Sequence, residues 1–246
     1  MIKMRARSGG FSLVELLIGI TIGLFLLAGL LTFFGQNRAA YSYQQSQSGQ
    51  QDSERLANIL FTNVLQQAGF SEMTNQRILN RASLFPAGGP FADGQAVVGT
   101  EATATVSLIG GGTQTVANDS IAIRFWDGVG IIDCIGNAAP AGAMSVVLFS
   151  VDGVNLNCRT DGGAAQPLMG DDQGPLAQQI RMLGMAVAYG LDTNGDESID
   201  SFQRAGGVTD WNQVRIAEIQ LIIQSGDRPP ESLSFAVALE NMRGVG

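Results

Sequence analysis

A chain of 246 residues can build one medium domain with its own core, or a smaller domain carrying an appendage. Its 14 Lys and Arg face 22 Asp and Glu, for a formal net charge of −8. No run of cations suits a phosphate backbone, so direct nucleic-acid binding is not expected. Histidine is absent, which removes His-based triads, His-ligated zinc and imidazole acid–base catalysis. The glycine-rich stretches hold no P-loop and no strand–GxGxxG–helix unit, and the chain reads as non-enzymatic.

Residues 1–10, MIKMRARSGG, are short and basic and contain the only lysine, Lys3. Residues 11–34 are apolar except for small polar residues and Glu15. A helix over this run rises about 36 Å, enough to cross a hydrocarbon core of about 30 Å. An ordinary secretory signal places a shorter apolar region before its small-residue cleavage site, whereas here the small residues come first. Cations precede the run and Arg38 alone follows closely. The N-terminus is therefore expected in the cytoplasm and the remainder outside, as a single-pass membrane protein. Glu15 costs about 2.5–3.5 kcal/mol in such a helix and needs a partner, yet no cation lies within one turn. Cleavage between Gly10 and Phe11 would create an amine at Phe11 able to meet the Glu15 of a neighbouring copy. A plain signal anchor with Glu15 near the interface is the alternative. Gly19 and Gly23 form a G-x-x-x-G pair that permits close helix contact.

From Gln36 to about Gly69 the chain is polar, rich in glutamine and free of proline. Leu56, Ile59, Leu60, Val64 and Ala68 recur at helical spacing, with Phe61 and Leu65 widening the stripe. The membrane helix is thus expected to continue as an amphipathic helix over 35–69. Gly49 would soften it, and residues 44–51 read alternatively as a flexible linker. Residues 70–100 gather turn formers into a long loop. Runs at 103–109, 120–126, 144–151, 181–191, 214–224 and 233–239 read as strands separated by turns. The expected fold is α+β: a long N-terminal helical spine, membrane-spanning in its first half, packed on an antiparallel β-sheet head. Its parts are a 1–10 leader, an 11–69 helix and a 70–246 head.

Cys134 and Cys158 lack C-x-x-C spacing. In an exported chain they read as one disulfide, contributing roughly 3 kcal/mol in the chain-entropy model, with two buried thiols as the alternative. Asp192, Asn194, Asp196, Ser198 and Asp200 place oxygen ligands at alternate positions, as a calcium loop requires. Glu197 stands where an EF-hand needs glycine, and Gln203 where it needs a bidentate glutamate. Asn194-Gly195 alone also specifies a polar hairpin turn. Calcium is the one cofactor these residues raise; otherwise none is expected.

The string Gly10-Phe11-Ser12-Leu13-Val14-Glu15-Leu16-Leu17 resembles the type IV prepilin leader and processing site. The resemblance implies cleavage by a prepilin peptidase after Gly10, N-methylation of Phe11, and a role for Glu15 in entering a filament. Further along, the paired cysteines, YGLDTNGDESID, Trp211, VRIAEIQLIIQS and FAVALEN together resemble the PilW-type minor pilins. That implies a pilin-like fold and a non-catalytic subunit that starts or caps a type IV pilus, with links to twitching motility, attachment and DNA uptake. Implied partners are other minor and major pilins, the prepilin peptidase and the inner-membrane assembly platform, with the pilus filament as final location. A minor pseudopilin of a type II secretion system shares the same parts. A tip adhesin using loops 70–100 and 160–175 is a further reading.

Overall fold

A computed structural model describes residues 12–72, 81–176 and 179–242. Helix α1 spans Leu13–Leu65. Ser12 starts it: its carbonyl accepts the amides of Glu15 and Leu16 at 3.0 and 3.1 Å, and its hydroxyl accepts that of Val14 at 3.3 Å. The contacts of the chain divide it into two compact units, 1–45 and 46–246, and α1 contributes to both.

In the first unit α1 has mean hydropathy 2.5 over its most apolar window, long and apolar enough to cross a membrane. Its large side chains are exposed, Phe25 to 82% and Leu26 to 67%. The hydroxyls of Thr21, Thr32 and Ser42 bond back to carbonyls three or four residues earlier, at 2.8–3.2 Å, which hides their polarity within the helix. Between Leu13 and Asn37, Glu15 is the one ionisable residue.

In the second unit the remaining turns of α1 bury Ala57, Phe61, Val64 and Leu65, and Ala68 just beyond them is buried too. The expected stripe is thus buried at Phe61, Val64, Leu65 and Ala68, whereas Leu56 and Ile59 are about half exposed and Ala57 takes the buried place. Residues 44–51 are helical, not a linker. A Cβ on Gly49 would lie 2.9 Å from the Ile180 Cδ1, so this glycine admits the Ile180 side chain against the helix.

Among the described residues eleven strands follow: β1 (Val97–Thr100), β2 (Thr103–Ser107), β3 (Thr113–Ala117), β4 (Ser120–Trp126), β5 (Met144–Val151), β6 (Leu156–Thr160), β7 (Gln166–Met169), β8 (Ile180–Leu191), β9 (Ser201–Arg204), β10 (Val214–Ser225) and β11 (Glu231–Ala238). They form antiparallel sheets ordered β1-β4-β5-β6-β7 and β11-β10-β8-β9, plus a β2-β3 hairpin. The long apolar runs became β4, β5, β8, β10 and β11, whereas β1 lies inside the expected 70–100 loop. Phe61 packs on Phe149 of one large sheet at 4.6 Å between ring centroids and on Phe235 of the other at 5.4 Å. One helical face therefore closes the core of both. The long apolar helix followed by antiparallel sheets is the expected α+β architecture.

The described part of the 70–100 region is ordered by a buried cation. Arg124, on β4, is 1% exposed. Its guanidinium donates to the carbonyls of Gln95, Pro86, Phe85 and Ala92 at 2.5–3.1 Å and lies 4.7 Å from the Phe91 ring centroid. Burial lowers its pKa, with Asp93 acting in the opposite direction. Nearby, α2 (Arg81–Leu84) contributes Arg81, whose pKa is lowered to about 10 by burial and then by Arg215 and Arg124. Four backbone acceptors thus fix the loop around its buried Phe85, Phe91 and Ala96.

Phe61→Ala should cost about 3–5 kcal/mol and lower the thermal midpoint of the detergent-solubilised chain. Gln51→Ala, on the exposed side of α1, should stay within about 0.5 kcal/mol of the parent. Equal midpoints for the two variants would show that Phe61 does not join the sheets.

Candidate functional site

Glu15 occupies the first turn of α1, where an acid also meets the positive end of the helix dipole. Leu13, Val14, Leu16 and Leu17 beside it are 54–74% exposed. The next cation along the helix, Arg38, is 23 residues away, about 35 Å of helical rise. A carboxylate on an apolar surface with no cation in reach along its own helix is the main chemical feature of the first unit. Gly10 and Phe11 lie outside the described residues.

In the second unit Cys134 and Cys158 form a disulfide with a Cα–Cα distance of 6.4 Å. Cys158 is on β6, and Cys134 lies in the loop between β4 and β5. That loop is built on Asp133, 6% exposed, whose carboxylate accepts the amides of Ile135 and Asn137 at 3.0 and 2.8 Å. Gln67, beyond the end of α1, accepts the Ile132 amide at 3.0 Å. The covalent bond and these hydrogen bonds hold the loop against the sheet while Val129 projects from it, 96% exposed.

The acidic loop between β8 and β9 uses its carboxylates on itself. Asp192, 2% exposed, accepts the amides of Gly195 at 2.7 Å and Glu197 at 3.2 Å, and pairs with Arg215 at 3.3 Å. Asn194 accepts the amide of Asp196 and Asp196 that of Ser198, at 2.9 and 2.8 Å. Asp200 accepts the hydroxyl of Thr193 at 2.6 Å and its amide at 2.8 Å. These are successive Asx turns, with Glu197 at φ +68°. The side-chain nitrogen of Asn194 faces Asp196 and Asp200 at 3.2 and 3.4 Å. The five residues proposed for calcium are therefore brought into one loop but not into a cation-ready ligand set. Among the described residues, no group of three or more Cys, Asp or Glu is placed to hold a metal.

A third buried acid, like Asp133, was not singled out in the sequence. Asp119, 1% exposed, accepts the amides of Ala102 and Val187 at 3.1 and 2.9 Å and pairs with Arg204 at 2.6 Å. It ties the residue before β4 to β8 and β9, joining the two large sheets. Nothing in its sequence neighbourhood distinguishes it from a turn aspartate in the pair Asn118-Asp119.

The Thr193 hydroxyl and amide, in that order, hold the Asp200 pKa below its usual 3.8. The native loop therefore gains stability from Asp200 above that value and loses it as pH falls through the lower native pKa. Hydrogen exchange at the Thr193 amide should be slow from pH 7 to 5 and quicken, relative to intrinsic rates, below about pH 3.8. Asp200→Asn should already show the faster exchange at neutral pH. A protection factor independent of both changes would remove Asp200 from this role.

The prokaryotic N-terminal methylation motif matches residues 5–31, which covers the segment from within the basic leader through Glu15 to near the end of the apolar run. No curated protein matches the chain. Among solved structures, a type IV-like pilin from Thermus thermophilus aligns at 11% identity with a TM-score of 0.43. The alignment covers 76% of this chain and 95% of that one, and at such a score it carries no argument of its own. With the methylation motif leading into an exposed apolar helix and an antiparallel sheet fold, the chain is type IV pilin-like.

Proposed function

We propose that the chain is a minor pilin of a type IV pilus, a structural subunit without catalysis of its own. The observation that carries this reading is the apolar, exposed start of α1 with Glu15 in its first turn, inside a matched methylation motif. A helix apolar on all sides needs lipid or other apolar helices around it. In the proposed sequence of events, residues 1–10 are the cytoplasmic leader, 11–69 the helix and 70–246 the periplasmic head. The prepilin peptidase cuts after Gly10 and the new amine of Phe11 is methylated.

Assembly then moves the apolar helix from the inner membrane into a filament core of similar polarity. The transfer changes little apolar exposure, so a charge can decide it. Glu15 of an incoming subunit pairs with the Phe11 amine of a neighbour, which relieves the cost of a lone carboxylate in hydrocarbon and sets the axial register. The partners are other minor and major pilins and the assembly platform. The Cys134–Cys158 bond stiffens the exported head.

Mass spectrometry of protein isolated from its native host should find Phe11 as a methylated first residue. A chain that still begins at Met1 would contradict the processing. A deletion strain should lose twitching and surface pili; loss of enzyme secretion with twitching intact would make the chain a type II secretion pseudopilin instead.

A further inference from the structure

Four strands form the edges of the two large sheets, and one of them is unlike the rest. β1, β7 and β9 are each four residues long, and β7 carries Pro167. β11 has eight residues, no proline and no charge after Glu231, and it pairs with β10 along its length without a register shift. Sheets ordinarily guard their edges with brevity, proline, charge or bulges, and Ser232–Ala238 has none of these.

The register shows which backbone groups this edge offers. The Leu239 amide donates to the Arg215 carbonyl at 2.7 Å, which fixes the hydrogen-bonded positions of the antiparallel ladder. By alternation Leu233, Phe235 and Val237 turn their backbone groups toward β10, while Ser232, Ser234, Ala236 and Ala238 turn theirs away. Among the described residues, those outward groups have no backbone partner. The same four positions carry small side chains on the outer face, while Leu233 and Val237 are buried on the inner one. Beyond them on β10, Glu218 lies opposite Ala236 and is exposed. It lines an outer-face groove of about 250 Å³, with Gln220, Ser234, Ala186, Ala188 and Arg204.

We infer that β11 is a docking edge for an extended segment of a different protein chain, one that bears a Lys or Arg opposite Ala236. Such a segment adds a fifth strand to the sheet through the outward amides and carbonyls. Two strand spacings, about 9.5 Å, separate it from β10, and an extended cation and the Glu218 side chain together span that distance over the small Ala236. Charge complementarity selects the occupant. A second copy paired antiparallel here would present the same Ser and Ala side chains, and it carries the same net charge of −8. This site does not depend on how the N-terminus is processed.

The probe is a fluorescent eight-residue peptide alternating Thr and Val with one central Lys, titrated into the full chain in neutral-detergent micelles and followed by anisotropy. Saturable binding is expected, at least tenfold weaker in Ala236→Pro, which removes an outward amide but no bond to β10. Glu218→Gln should weaken it severalfold. The thermal midpoint of each variant reports whether the head is folded; should Ala236→Pro fail this check, Ser234→Lys, which sets a like charge beside the peptide, must weaken binding instead. No saturation by the parent, or equal affinity in both edge variants, would overturn the inference. A parent dimer that Ala236→Pro dissolves would do the same, by assigning the edge to a second copy.

Discussion

The packing of Phe61 against Phe149 and Phe235 is the contact on which the head depends. Each large sheet has one apolar face to bury, and both bury it around the last turns of α1 and the sheet-to-sheet contacts beside them. The helix is thus a core element over Ala57–Leu65, where a lost methylene is felt as a cavity. Asp119 adds a polar link between the same two sheets, and every atom of its carboxylate has a partner. The head is therefore held by the Phe61 ring contacts and the apolar core around them, with the saturated charge of Asp119 between the sheets.

The same helix begins under the opposite condition. Its first turns expose apolar side chains around a single carboxylate, a surface that water would not support and that lipid charges for at Glu15. Both costs fall when another subunit supplies an apolar helix and a cation. Function in this reading comes from what α1 lacks within its own chain, and the head supplies the surface presented outside. In the proposed assembly the two tasks are separated along one helix, so that its apolar part moves between lipid and filament while Phe61 and its neighbours stay packed.

Much of this was legible because periodicity and burial agree in long elements. β4 and β5 match the expected 120–126 and 144–151 runs, where apolar or β-branched residues dominate. The helical stripe was legible at Phe61, Val64, Leu65 and Ala68 but drawn too wide, because Leu56 and Ile59 look like core residues, yet small Ala57 is the one admitted beside Phe61. β1, β6, β7 and β9 are four or five residues long and earn their strand geometry from neighbours, a tertiary effect that local pattern does not carry. The 70–100 region looked like a loose loop because its organiser, Arg124, sits about thirty residues later on a strand that seemed to be alternating normally. The loop of Asp192 to Asp200 was ambiguous for a chemical reason: alternate Asp and Asn oxygens suit both a cation and the loop's own amides, and here the amides hold them.

Central to the proposed assembly is a Glu15 carboxylate that lies on an apolar helical surface and is met there by the amine of another subunit. The direct measurement is the amount of this chain recovered in sheared, purified filaments from cells expressing the parent, Glu15→Ala or Glu15→Asp at equal membrane levels. The account predicts that Glu15→Ala stays in the membrane fraction and is missing from filaments, with Glu15→Asp partly restored because the charge is kept at a shorter reach. Filaments that contain Glu15→Ala in the same amount as the parent would contradict it.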